Sequence, residues 1–247
     1  MTFQLSTLKA DDGTSLALYH WSCPQPKAVV QIAHGMAEHA GRYDYLAQKL
    51  VAAGYEVYAH DHRGHGKTAN AGDLGYFADH NGWNAVIGDM NTVGKYISAQ
   101  LPDLPRVLLG HSMGSLLSRS YIFKYGDQLA GLVLSGTAGP AGVLGGVGML
   151  IARSQRLIFG NRHRSKLLTK LSFGAYNKQF QPIRSEFDWL SRDPEQVAAY
   201  IADPKCGQIH TTGFYVDLLG GIAQINKAEN IANVRSELPI LLISGDA

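Results

Sequence analysis

The chain has 247 residues, of which 45% are hydrophobic and 17% charged, and its net charge at neutral pH is +2. That length and composition suffice for a large buried core and exclude a disordered chain. The small net charge argues against a nucleic-acid partner.

The weakly polar stretch from Ala138 to Ala152 is short and broken by glycines, so no transmembrane span is expected. Met1-Thr2-Phe3-Gln4 lacks a basic start and an apolar run, so no signal peptide is expected either. The two cysteines, Cys23 and Cys206, form no C-x-x-C motif and suit a reducing, cytoplasmic setting.

In chain order, Phe3 to Lys9 and Ser15 to Trp21 read as strands joined by the hairpin signal Asp11-Asp12-Gly13. Ala28 to Ala33 is a buried strand. Tyr43 to Ala53 has helical spacing and Gly54 is its stop. A short strand over Tyr55 to Ala59 follows, then a helix capped by Asn81 and running to about Ala99. A strand at 106–110, a helix at 115–125 and a strand at 131–135 come next, and Leu238 to Ser244 is the last strand. Strands alternating with helices predict an α/β fold, a mostly parallel sheet covered on both faces.

Between Gly136 and about Arg235 no convincing strand appears, and a stretch this long is not a loop. The predicted domains are therefore a core over 1–136, a helical cap inserted over 137–235, and a return to the core over 236–247. Such a cap would lie over the C-terminal edge of the sheet, where open α/β sheets bind ligands. Its apolar residues Val143, Leu144, Leu150, Ile151, Leu157, Ile158 and Phe159 are read either as walls of an acyl-chain tunnel or as the cap's own core. Arg153, Arg156, Arg162, Arg164, Lys166 and Lys170 form a basic band, read as a solvated face with anionic lipid head groups as the alternative partner.

The most informative stretch is Gly110-His111-Ser112-Met113-Gly114, lying between an apolar strand and a helix. This is the context of a G-x-S-x-G nucleophile elbow. The turn is sharp, and side chains at 110 and 114 would collide with neighbouring backbone. Ser112 is the predicted nucleophile, beside a helix N-terminus that favours developing negative charge. The strand at 28–33 ends in His34-Gly35-Met36. Acyl transfer needs N–H donors for an oxyanion, and the N–H groups of Met113 and Met36 are the predicted pair. Gly35 would let the backbone approach closely. His34, Gly35, Gly110, His111 and Gly114 are supporting residues. His60, His62 and His65 lie close in sequence but lack the carboxylate or thiol spacing of a metal site, so no metal is expected.

These motifs carry a resemblance. His34-Gly35-Met36-Ala37-Glu38-His39 with Gly41-Arg42-Tyr43, then Asp61-His62-Arg63-Gly64-His65-Gly66-Lys67-Thr68, then the elbow, resemble monoacylglycerol lipases and bacterial lysophospholipase-like hydrolases. These belong to the α/β-hydrolase superfamily, with a serine aminopeptidase S33-type domain. Phe187-Asp188-Trp189-Leu190-Ser191-Arg192-Asp193-Pro194 and Asp203-Pro204-Lys205-Cys206-Gly207 resemble the cap of a bacterial branch. The resemblance implies an α/β-hydrolase fold and a carboxylic-ester hydrolase with a Ser–His–Asp triad. It implies an acyl-enzyme on Ser112, a small acyl-ester or lipid substrate, and no cofactor. An acyltransferase, a peptidase, or a non-catalytic binding protein of the same fold are the alternatives.

In this family the acid and the base follow the last strand read here. The family's acid would fall three residues after Gly245, one position beyond Ala247, so Asp246 is not at that place, and His163 and His210 both fall in the expected cap. The acid and base are therefore expected beyond Ala247, roughly 40–60 further residues at ordinary element lengths completing the fold. The chain as given is expected to turn over esters little or not at all.

Overall fold

In a computed structural model, which describes residues 3–70, 72–174 and 176–245, strands and helices alternate as the sequence predicts. The strands are β1 (Gln4–Lys9), β2 (Ser15–Trp21), β3 (Ala28–Ala33), β4 (Tyr55–His60), β5 (Arg106–His111), β6 (Gly131–Ser135) and β7 (Ile240–Ile243). They form one sheet in the order β1-β2-β4-β3-β5-β6-β7. The hairpin edge is antiparallel, with Lys9 opposite Ser15 and Leu18 opposite His60. From β4 onward every neighbouring pair is parallel.

The helices are α1 (Asp44–Ala52), α2 (Gly82–Gln100), α3 (Met113–Tyr125), α4 (Gly142–Phe159), α5 (Lys166–Phe173), α6 (Pro194–Ala202), α7 (Thr212–Ile225) and α8 (Ala228–Ile231). All of β3 is buried, as a central strand covered on both faces should be. One face carries Trp21, Tyr19, Ile32 and Val57 against Ala47 of α1. The other carries Leu108 and Leu132 against Trp83, Met90, Leu117 and Tyr121 of α2 and α3. The one amide inside β3, Gln31, donates to Met90 C=O (2.9 Å) and accepts from the buried Arg106 guanidinium (2.6 Å).

Among the described residues between β6 and β7 the chain is helical or irregular apart from an isolated bridge between Arg164 and Thr211. Asp193 starts α6, its carboxylate accepting from Glu195 N–H with Pro194 in the first turn. Asp203-Pro204 ends the same helix. The α7 helix packs directly on α2 and α3, and Phe214, Tyr215, Leu218 and Ile225 share their apolar cluster. Asp246, the nearest acid to the position the family would use, and Ala247 lie outside the described residues.

One local expectation is corrected. Asn81 does not cap α2 with its side chain; it has a left-handed backbone (φ 53°) and makes no capping hydrogen bond. Asp217 of α7 takes that role across the fold, receiving the Gly82 and Trp83 N–H groups. A capping carboxylate from another helix has no signal in the local sequence. Burial raises Asp217 to a pKa of about 6. Asp217→Ala should therefore lower stability by about 1–2 kcal/mol in denaturant titration, whereas Asn81→Gly should change it by only a few tenths of a kcal/mol.

Candidate active site

The turn after β5 is built as the elbow motif requires. Ser112 sits at φ 50° and ψ −117°, one of three non-glycine residues with positive φ among those described. Its N–H donates to Ser135 C=O at the end of β6 (2.8 Å), which holds the strained residue in place. Its carbonyl accepts the first bonds of α3, from Ser115 and Leu116 N–H. A Cβ on Gly114 would stand far inside contact distance of the Ala33 carbonyl, at the end of β3. A Cβ on Gly110 would lie 2.5 Å from the Gly114 carbonyl and the Ser118 hydroxyl. The collision expected from the sequence is thus explicit, and it involves two different elements.

Because Ala33 pairs with Gly110 in parallel register, the segments 34–36 and 111–113 leave the sheet side by side. His34 is fully buried. Its Nε2 accepts from His62 N–H (2.9 Å), so its Nδ1–H donates to the Gly35 carbonyl (2.8 Å). Burial holds its pKa well below the usual histidine range, which keeps it neutral. Gly35 N–H donates to Glu38 (2.6 Å), and a Cβ at Gly35 would meet the same carboxylate oxygen at 2.6 Å. Glu38 also accepts from Tyr43 O–H (2.8 Å) and Arg42 (3.0 Å).

Ala37, with φ 60°, follows Met36. Its carbonyl accepts from Tyr200 O–H (2.8 Å) and Gly207 N–H (2.9 Å), so residues beyond β6 grip the loop that carries Met36. His39 donates from Nε2 to Asp203 (2.8 Å), a second tie, and accepts from Gly41 N–H at Nδ1. The sequence reading assigned no role to Glu38, Ala37, Tyr200 or Asp203. Glu38 had a weak signal in its place within the His34–His39 motif. The others depend on contacts across more than 160 positions, which no local pattern encodes.

Among the described residues no histidine bonds to the Ser112 hydroxyl. His111 faces the Ser135 hydroxyl (3.1 Å). His163 packs against Phe159. His210 is fully buried, and its Nε2 meets Nε2 of His65 at 3.1 Å.

The apolar residues of α4 are a second correction. Val143, Leu144, Leu150, Leu157, Ile158 and Phe159 are each more than half exposed, from 59% to 88%, so they are neither a tunnel wall nor a core. Only Ile151 packs on the main cluster. A cavity of about 640 Å³ is lined instead by Ala37, Phe173, Phe187, Trp189, Tyr200 and Lys170, among others.

This geometry agrees with the comparisons. The family described as serine aminopeptidase, S33, matches residues 24–247. The monoacylglycerol lipase of Mycolicibacterium smegmatis is 36% identical over 230 residues, covering 90% of this chain and 70% of that protein. The chain belongs to the serine aminopeptidase S33 family of α/β-hydrolases. The monoglyceride lipase of Rattus norvegicus is 30% identical over 245 residues, covering 96% of this chain and 70% of its own length. A thermostable carboxyl esterase from Bacillus coagulans superposes with a TM-score of 0.87 at 28% identity, covering 97% of this chain and 78% of its own.

Beneath the site lies a group of fully buried histidines: His34, His60, His62, His65 and His210. Neither ring nitrogen of His60 has a hydrogen-bond partner. Burial, with the nearby Arg63 charge, pushes His60 down to about 4, below the ordinary 6.5. The unfolded chain therefore takes up this proton first, and the native state loses stability as pH falls from about 6.5 towards 4. His60→Leu removes that proton uptake. Its stability relative to the parent should rise by about 2 kcal/mol between pH 7.5 and pH 5, measured by denaturant titration at both values.

Proposed function

We propose that Ser112 is the nucleophile of a serine hydrolase that cleaves carboxylic esters, with acylglycerol and lysophospholipid esters as the substrate class. The observation that carries this reading is the left-handed Ser112 at the β5–α3 turn, held against the loop after β3. Ser112 Oγ attacks the ester carbonyl, and its proton passes to a base and then to the departing alcohol. Water attacks the acyl-enzyme in the second half. The N–H groups of Met36 and Met113 are assigned to the oxyanion, because their segments leave the sheet together and Met113 opens a helix. No acid or base is assigned, since among the described residues no histidine bonds to the Ser112 hydroxyl. The lipase and esterase names of the relatives favour hydrolysis over the acyltransferase, peptidase and binding-protein alternatives.

Residues 137–235 are assigned as a cap, on two supports. Tyr200 and Gly207 bond to the loop carrying Met36, and the aromatic cavity of about 640 Å³ adjoins Ala37 of that loop. A cavity of that size with apolar walls suits an acyl chain. Both cysteines are free thiols, in keeping with a cytoplasmic setting. Among the described residues no helix is long and apolar enough to cross a membrane. Transient contact with a membrane surface rests on the outward apolar residues of α4, flanked by the exposed Arg153, Arg156, Lys166 and Lys170.

In the full-length protein, Ser112→Ala should reduce p-nitrophenyl butyrate hydrolysis to background, a loss on the order of 10⁶ in kcat, with the thermal midpoint unchanged or raised. Substantial retained activity would remove Ser112 from the role. Leu150→Glu with Leu157→Glu should weaken co-sedimentation with anionic vesicles while leaving hydrolysis of this soluble ester within about twofold of the parent. Unchanged vesicle binding would count against membrane contact through α4.

A further inference from the structure

Sequence spacing points away from a metal at His60, His62 and His65, but the fold brings together a different set of donors. His39 lies in the loop after β3, and Asp203 and Cys206 lie in the turn after α6. One donor atom from each, an imidazole nitrogen, a carboxylate oxygen and the thiol sulfur, all fall within 4.8 Å of one another. The turn is closed by Cys206 N–H donating to Asp203 C=O (3.0 Å), which puts the carboxylate and the thiol of an Asp-x-x-Cys segment on one side. The site is reachable from solvent. The side chains of His39 and Asp203 are 14% and 31% exposed, and Cys206 is half-buried with its thiol free.

We propose that His39, Asp203 and Cys206 bind a divalent cation of the zinc class, with water as the fourth ligand. Nitrogen, oxygen and sulfur donors are the set that zinc accepts, and one open position completes a tetrahedron. In such a site the donors sit roughly 3.3–3.8 Å apart, given metal–ligand bonds of about 2.0–2.3 Å.

The protons balance as follows. Binding releases the Cys206 proton to solvent. The His39 ring is now protonated on Nε2, which donates to Asp203, and it accepts from Gly41 N–H at Nδ1 (3.2 Å). To coordinate through Nε2, the ring moves its proton to Nδ1 and gives up the Gly41 bond. That bond is long, and Gly41 is only half-buried, so water can take its place. The resulting ion would staple the loop after β3 to the turn after α6, whatever reaction the nearby site performs.

Cobalt(II) and zinc(II) test this in the folded protein. The parent should show a near-ultraviolet thiolate-to-cobalt band saturating at one cobalt per chain, displaced by zinc and abolished by a chelator. Zinc should raise the thermal midpoint. Cys206→Ser should lose the band, and His39→Gln and Asp203→Asn should each bind at least about tenfold more weakly. Metal-free thermal midpoints check that each variant is folded. A folded parent without the band would overturn the proposal. So would equal binding by Cys206→Ser, which would place the metal on other surface groups, or undiminished binding by both His39→Gln and Asp203→Asn.

Discussion

The close approach of the α3 N-terminus to the end of β3 is the constraint on which the rest of the site depends. It is possible only because position 114 has no side chain; any Cβ there would occupy the space of the Ala33 carbonyl. That approach fixes where α3 begins, and therefore where Ser112 stands. The turn forces Ser112 to φ 50°, a conformation that costs a non-glycine residue about 1–3 kcal/mol. The hydrogen bond from Ser112 N–H to Ser135 C=O and the burial of Met113 and Leu117 offset that cost. Strain at one residue is thus held by three strands and a helix, all of them central.

The second half of the site is held differently. The loop after β3 has no regular structure until the short turn at Ala40–Tyr43, yet several of its polar groups are paired. His34 bonds it from beneath, Glu38 gathers three donors inside it, and Tyr200 and Gly207 grip Ala37 from above. A neutral His34 is required for this arrangement, since its Nε2 must accept a hydrogen bond from His62 N–H. Its burial therefore has a geometric purpose: it keeps the ring uncharged and fixes one tautomer.

Most of the fold was legible because it follows local rules. Period-two and continuous apolar runs marked the strands, and Gly54, with φ 86°, ended α1 as a left-handed stop should. The Ser112 turn was legible for the same reason, since its glycines, its serine and its flanking elements are contiguous. Long-range devices were not. The Asp217 cap on α2 and the Asp203 bond to His39 join residues remote in sequence, and hydrophobic spacing carries no trace of them. The α4 residues were misread for a related reason. Their spacing is amphipathic, but amphipathic spacing tells only that an apolar face exists, not what covers it. In this structure the inward face of α4 carries Gly148 near Leu219, Met149 near Gly220, Ile151 and the buried Ala152, while the other large apolar side chains point outward.

That inversion separates two surfaces within the same segment. The outward side of α4 is apolar and ringed by cations, a surface that gains free energy only by leaving water. The inward side, formed by α5, the turn around Trp189 and Tyr200 of α6, is where the cavity lies. Tyr200 belongs to both the cavity wall and the grip on Ala37, and Arg42 stacks over its ring 4.7 Å from the centroid. Anything that shifts the segment around Tyr200 must therefore move the Ala37 carbonyl and the backbone of Met36 next to it. The placement of the assigned oxyanion donors and the shape of the cavity are in this way one mechanical unit, although they come from parts of the chain separated by more than 160 residues.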